Sequence, residues 1–173
     1  NACSNGYVRH GSHAFIRKKE FGSKGKVMAG IPDEESGLLD MIKRHEGVRS
    51  KVYVCSGGYE TIGVGRNISE TGLGLDNKEI EYLLSNDILR IRKELEDEYP
   101  WFSRLDTVRQ DALIDMSFNL GQTVLRKFKN ALHAMSKKQY KQAADEFMDS
   151  RWSKQVGNRA VEVTNMIKYG EYQ

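Results

Sequence analysis

The sequence predicts a mainly helical α+β fold, with one short β-hairpin near its start, a long helix after it and a set of shorter helices to follow. Three observations carry this. The runs KVYVC (51–55) and YETIGVG (59–65) are rich in strand-forming residues and flank Ser56-Gly57-Gly58, a glycine turn suited to closing a hairpin. Between residues 76 and 98, Ile80, Leu83, Leu84, Ile88, Ile91 and Leu95 form one apolar stripe at helical spacing. Beyond Pro100, further stretches repeat that spacing.

Residues 1–32 stand apart as a tail or linker. They hold Arg9, Arg17, Lys18, Lys19, Lys24 and Lys26 against Glu20 alone, a balance of +5, so the net +3 of the 173 residues leaves −2 on the remainder. The tail is rich in Gly, Ser and Asn, lacks sustained periodicity and is expected to be disordered. Its basic run suits an anionic surface such as a cell envelope, but short basic runs are weakly specific, and a plain linker or tag remnant explains it better. The nearly neutral remainder argues against a nucleic-acid partner, which needs a basic face on the folded domain.

From Pro32 the chain reads as one domain, residues 33–173. Asp33, Glu34 and Glu35 place negative charge at the start of a first helix, where its dipole favours it. That helix continues through Leu38, Leu39 and Ile42 and stops at Gly47, which takes a left-handed turn cheaply. Glu46 therefore lies in its last turn, where the negative end of the dipole favours the neutral carboxyl that a general acid needs. Taken alone, a helix-end glutamate is usually just solvated. The hairpin that follows brings Glu46, Cys55 and Thr61 together as candidate polar groups.

The long helix, with Asp76 as N-cap and Glu79 three residues on, ends before Pro100. Its charged face of Asp87, Arg90, Lys93, Glu94 and Asp97 reads as solvated surface. In SRLDTVRQDALIDMSFNLG the apolar residues Leu105, Val108, Ala112, Leu113, Met116, Phe118 and Leu120 nearly surround the axis, which predicts a buried helix ended by Gly121. FKNALHAM and QYKQAADEFM give two short amphipathic helices that serve packing. SRWSKQVGNRA follows, with Trp152 assigned to the core.

Glu46, eight residues, Cys55, five residues, Thr61, with Gly58-Tyr59 before Thr61-Ile62-Gly63-Val64-Gly65, resembles the active-site signature of the T-even phage-type lysozymes, or endolysins. The resemblance continues in order across roughly residues 36–170, through Phe118-Asn119 and Ser150-Arg151-Trp152, Gln155 and Asn158-Arg159-Ala160. It implies a lysozyme-like fold: a small hairpin lobe, about 48–70, and a larger helical lobe, about 99–173, joined by the long helix at about 76–98, with a glycan cleft between the lobes. It implies hydrolysis of β-1,4 bonds between N-acetylmuramic acid and N-acetylglucosamine in peptidoglycan, for host cell-wall lysis. Glu46 would be the general acid, Thr61 would hold the attacking water, and Phe118, Asn119, Gln155 and Arg159 would bind substrate, with Arg159 reaching Glu46. An amide such as Asn119 suits this role because it both donates and accepts. For Phe118, a plain core role is at least as well supported by the sequence.

Two departures matter. Arg66 replaces the histidine usual after the second glycine, which affects stability before catalysis. Cys55 replaces the usual aspartate, although glycoside hydrolysis normally uses two carboxyl groups. The thiol is a candidate for positioning water, for attack as thiolate, or for an inert role as the small buried hydrophobe that free cysteines often are. A non-catalytic peptidoglycan-binding protein and a lytic transglycosylase stay open as alternatives. In an oxidising compartment, Cys3 and Cys55 would be able to pair and block the cleft. No cofactor is implied, and no cysteine and histidine spacing suits a structural metal. No signal peptide and no apolar run long enough to span a bilayer is recognised. The resemblance implies a monomer made in the host cytoplasm and acting on the wall in the periplasm, by an export route that the sequence does not encode recognisably.

Overall fold

The computed structural model describes residues 36–173, which form three short strands and eight α-helices. The basic tail, Cys3 and the acidic triplet from Asp33 to Glu35 lie outside the described residues. The chain divides into two compact units, one ending at Asp76 and the other spanning Asn77–Gln173.

In the first unit, α1 (Ser36–Glu46) stops where Gly47, at φ 75°, donates its N–H to the Lys43 carbonyl at 2.9 Å. Strands β1 (Arg49–Val54), β2 (Glu60–Gly63) and β3 (Arg66–Asn67) form an antiparallel sheet in the order β1-β2-β3. Tyr53 faces Thr61 and Val54 faces Glu60 across the hairpin, while Thr61 faces Asn67 on the other side. The turn is pinned by the Gly58 N–H on the Cys55 carbonyl at 2.9 Å and the Cys55 N–H on the Tyr59 carbonyl at 3.0 Å. Strand β3 gave no signal in the sequence because two residues are too short to alternate. It is held from the following loop: Arg66 Nη1 donates to the Gly74 carbonyl at 3.1 Å, and Asn67 Oδ1 accepts from the Ser69 N–H at 2.9 Å and the Ser69 hydroxyl at 2.6 Å.

In the second unit, α2 (Asn77–Glu98) leads through a 3₁₀ turn at Phe102–Arg104 into α3 (Thr107–Leu120). Then come α4 (Gln122–Leu125), α5 (Lys129–Ser136), α6 (Tyr140–Met148), α7 (Arg151–Val156) and α8 (Asn158–Tyr169). Helix α3 buries Ala112, Leu113, Ile114, Met116 and Ser117 and packs against α2 and α8, as its all-round apolar pattern requires. Asp106 caps it by accepting the Arg109 N–H at 3.0 Å. Phe102, Leu125, Met135, Phe147 and Ile167 complete a core with no exposed surface to speak of, each worth roughly 1.5–3 kcal/mol on full burial.

Only part of the α2 stripe enters that core. Ile91 and Leu95 are buried, whereas Ile80, Leu83 and Leu84 are 50%, 48% and 44% exposed. The physical reason is that α2 packs on α3 and the 3₁₀ turn, which meet the half of the stripe holding Ile91 and Leu95. At the other end of the core, Arg109 closes α8: its Nε and Nη2 donate to the Ile167 and Lys168 carbonyls at 2.7 and 3.2 Å. Its guanidinium lies 3.8 Å from the centre of the Tyr140 ring. Gly170, at φ 75°, leaves room for it, since a Cβ there would collide with the guanidinium.

Candidate active site

Each unit contributes its own set of candidate residues. In the hairpin unit, Glu46 is the last residue of α1 and is half-buried. Its carboxylate lies beside the backbone of Gly65, where an added Cβ would stand 3.9 Å from Oε2. Gly65 has φ 80°, a conformation that side chains other than glycine rarely adopt. The second glycine of the TIGVG run thus sets the turn into β3, and a side chain there would meet the carboxylate only at ordinary van der Waals distance. Lys43, Arg44 and His45 are the basic residues of the last turn of α1, a placement that suits the helix's negative end.

Thr61 sits on the central strand and is fully buried, with Oγ1 donating to the Tyr59 carbonyl at 3.0 Å. Its donor is turned to the main chain. Cys55 occupies the start of the hairpin turn, and its sulfur is in a disulfide. A sulfur so bonded offers neither a thiolate nor an acidic proton, so the thiol roles expected from the sequence belong to a reduced Cys55. Cys3, the other cysteine of the sequence, lies outside the described residues.

In the helical unit, α3 presents Asp115, Phe118 and Asn119 along one side, at the helical spacing of i, i+3 and i+4. Phe118 is 48% exposed, so it is not a core residue. Asn119 is exposed, and its Oδ1 accepts the indole N–H of the buried Trp152 at 3.0 Å. Among the described residues its amide nitrogen has no partner, leaving a donor for a ligand. Gln155, on α7, is exposed.

Arg159, near the start of α8, is held by Asp115. Its Nε donates to one carboxylate oxygen at 3.0 Å and its Nη2 to the other at 2.7 Å, a bidentate pair. That hydrogen bonding raises the pKa of Arg159 further, against the opposing effect of burial. Asp115 escaped the sequence reading, which aimed Arg159 at Glu46. The available signal was its place one helical turn before Asn119. Among the described residues, no group of His, Cys, Asp or Glu side chains is arranged to hold a metal ion.

Residues 43–166, which contain every one of these side chains, match the phage lysozyme family. The chain belongs to that family. It is 29% identical over 162 residues to a probable T4-type lysozyme of Dictyostelium discoideum, covering 78% of this chain and 95% of the relative. It is 30% identical over 136 residues to an endolysin of Acyrthosiphon pisum secondary endosymbiont phage 1, covering 78% of this chain and 89% of the relative. A third relative, the pre-baseplate central spike protein of Enterobacteria phage T4, is 26% identical over 177 residues, which cover 86% of this chain but 31% of the much longer relative. Membership in the phage lysozyme family makes this chain a glycoside hydrolase of lysozyme type, with peptidoglycan as the substrate. Among the described residues, no helix is long and apolar enough to cross a membrane.

Proposed function

We propose that this phage lysozyme family member cleaves the β-1,4 bond between N-acetylmuramic acid and N-acetylglucosamine, acting as a monomer on the wall of a host cell during lysis. The observation that carries this reading is Glu46: a half-buried carboxyl at the end of α1, beside Gly65 of the hairpin and inside the matched segment. Glu46 protonates the glycosidic oxygen as the bond breaks, which is the step that most needs a positioned acid. Phe118 and Asn119 supply an exposed aromatic face and an amide donor for sugar rings and acetamido groups, and Gln155, exposed on α7, adds a second amide. Arg159 contributes fixed positive charge, oriented by Asp115.

Thr61 is assigned to the ordering of water, a role that requires its hydroxyl to be reached from the substrate side. Cys55 takes the place where a second carboxylate would steer water or attack carbon. Domain limits follow the same reading, with residues 33–173 as the catalytic domain.

Product analysis on purified peptidoglycan tests it. New reducing ends on N-acetylmuramic acid are expected. Anhydro ends identify a transglycosylase instead, and wall binding without release of fragments identifies a binding protein.

A further inference from the structure

The helical unit holds a cavity, with an apolar floor and a basic wall, that the hydrolytic residues do not use. It has a volume of about 340 Å³ and opens where the 3₁₀ turn meets the end of α5. The buried side chains of Leu105 and Met135 line its floor, while Trp101, Arg104, Lys137 and Lys138 form its wall. No acidic side chain lines it. Among the described residues, Arg104, Lys137 and Lys138 make no ion pair, whereas Arg90, Arg92, Arg109, Arg126 and Arg159 each have a carboxylate partner.

Cations at a helix end commonly serve its free carbonyls, but here those of His133, Ala134 and Met135 are already satisfied. Lys137 N–H donates to the His133 and Ala134 carbonyls, Lys138 N–H to Met135 at 3.0 Å, and Gln139 N–H to Ala134 at 2.9 Å. The turn that achieves this puts Lys138 at φ 58°, the one non-glycine residue with positive φ among those described. Ser136, also in the wall, spends its hydroxyl on the His133 carbonyl at 2.6 Å. Three cations around an uncharged floor thus have no internal use.

We infer that this cavity binds a sugar-linked phosphate of the cell envelope. Three positive charges match a phosphate better than a single carboxylate, and the Arg104 fork suits its oxygens in pairs. The Trp101 ring offers an apolar face to the C–H side of a sugar, and among the described residues its indole N–H has no acceptor. A volume of 340 Å³ falls within the usual range for small-ligand cavities, roughly 300–1,000 Å³. The cavity itself rests on this geometry, and the choice of an envelope source rests on the peptidoglycan reading above. Two envelope sources carry the same chemistry: the phosphorylated diglucosamine of lipid A and the poly(alditol phosphate) of teichoic acid.

The test uses the full chain labelled with nitrogen-15, following the Trp101 indole signal during titration with glucosamine 1-phosphate, with glucosamine and with sodium acetate. A saturable shift with the phosphate ester alone is expected. The variant R104Q/K138G should bind at least about tenfold more weakly, because charge-assisted hydrogen bonds are lost. It should melt no lower than the parent, since glycine adopts positive φ without strain. No shift, an equal shift with glucosamine or acetate, or unchanged affinity in the variant overturns the site. Sedimentation with lipid A vesicles and with purified teichoic acid then separates the two sources, and binding to neither overturns the envelope assignment. Hydrolysis of peptidoglycan stripped of phosphate polymers is measured in parallel and should be the same in parent and variant. Loss of that activity in the parent counts against the hydrolase reading alone.

Discussion

Cys55 and Arg159 are the two candidate residues, one in each unit, whose bonding most constrains their proposed roles. A sulfur in a disulfide can neither ionise nor relay a proton, so with Cys55 oxidised the first unit offers Glu46 as the candidate acid and no second acidic group at the middle position of the signature. Cys55→Asp restores the pair of carboxyls usual for glycoside hydrolysis. It is expected to release reducing ends at least about tenfold faster than the disulfide-bonded parent, measured on purified walls without reductant. An unchanged rate would mark the position as inert. Arg159 has a different constraint, because Asp115 already grips both sides of its fork. Both side chains are 38% exposed, so the pair itself contributes about 1 kcal/mol at most. Asp115→Ala should therefore cost little in a denaturant melt, while Arg159→Ala lowers kcat/KM on peptidoglycan fragments by about tenfold or more.

Among the elements, α3 matters most because it carries core residues, the half-buried Asp115 and the exposed Phe118 and Asn119. Its start depends on Asp106, whose carboxylate accepts the Arg109 N–H and also pairs with the Arg109 guanidinium. Partial burial pushes the Asp106 pKa up, but the Arg109 hydrogen bonds outweigh it and hold the group below the ordinary aspartate range. A carboxyl whose pKa is depressed by folding stabilises above its unfolded pKa, and that stabilisation is lost as pH falls through the folded value. Asp106→Ala should therefore cost about 1 kcal/mol at pH 6. The gap between variant and parent should shrink as pH drops below about 4, read from melting curves. A gap that stays constant to pH 2 would mean the cap does not act through its charge. The elements were largely legible: glycines at 47 and 121 and all-round apolar spacing marked α1 and α3 plainly, whereas the Asp106 cap emerged only from the structure. Strand β3 and helix α4 were not, since two and four residues are too short for periodicity to show. That half of the α2 stripe is exposed was not legible, because spacing shows which residues share a face, not which neighbour covers it.

At the scale of the whole molecule, the ordered motifs carried the family into view, while individual partners stayed hidden. Spacing located Glu46, Cys55 and Thr61 in one hairpin unit and Phe118, Asn119, Gln155 and Arg159 in one helical unit. It could not reveal that Asn119 takes the Trp152 indole, that Asp115 takes Arg159, or that Cys55 is oxidised, because each pairing joins residues distant in sequence or depends on redox state. The central claim is that Glu46 supplies the proton that breaks the glycosidic bond. Glu46→Gln keeps the size and shape of the side chain and removes only that proton. Release of reducing ends from purified peptidoglycan should fall at least about 100-fold while the circular dichroism melt stays unchanged. Undiminished release by a folded Glu46→Gln protein would contradict the account.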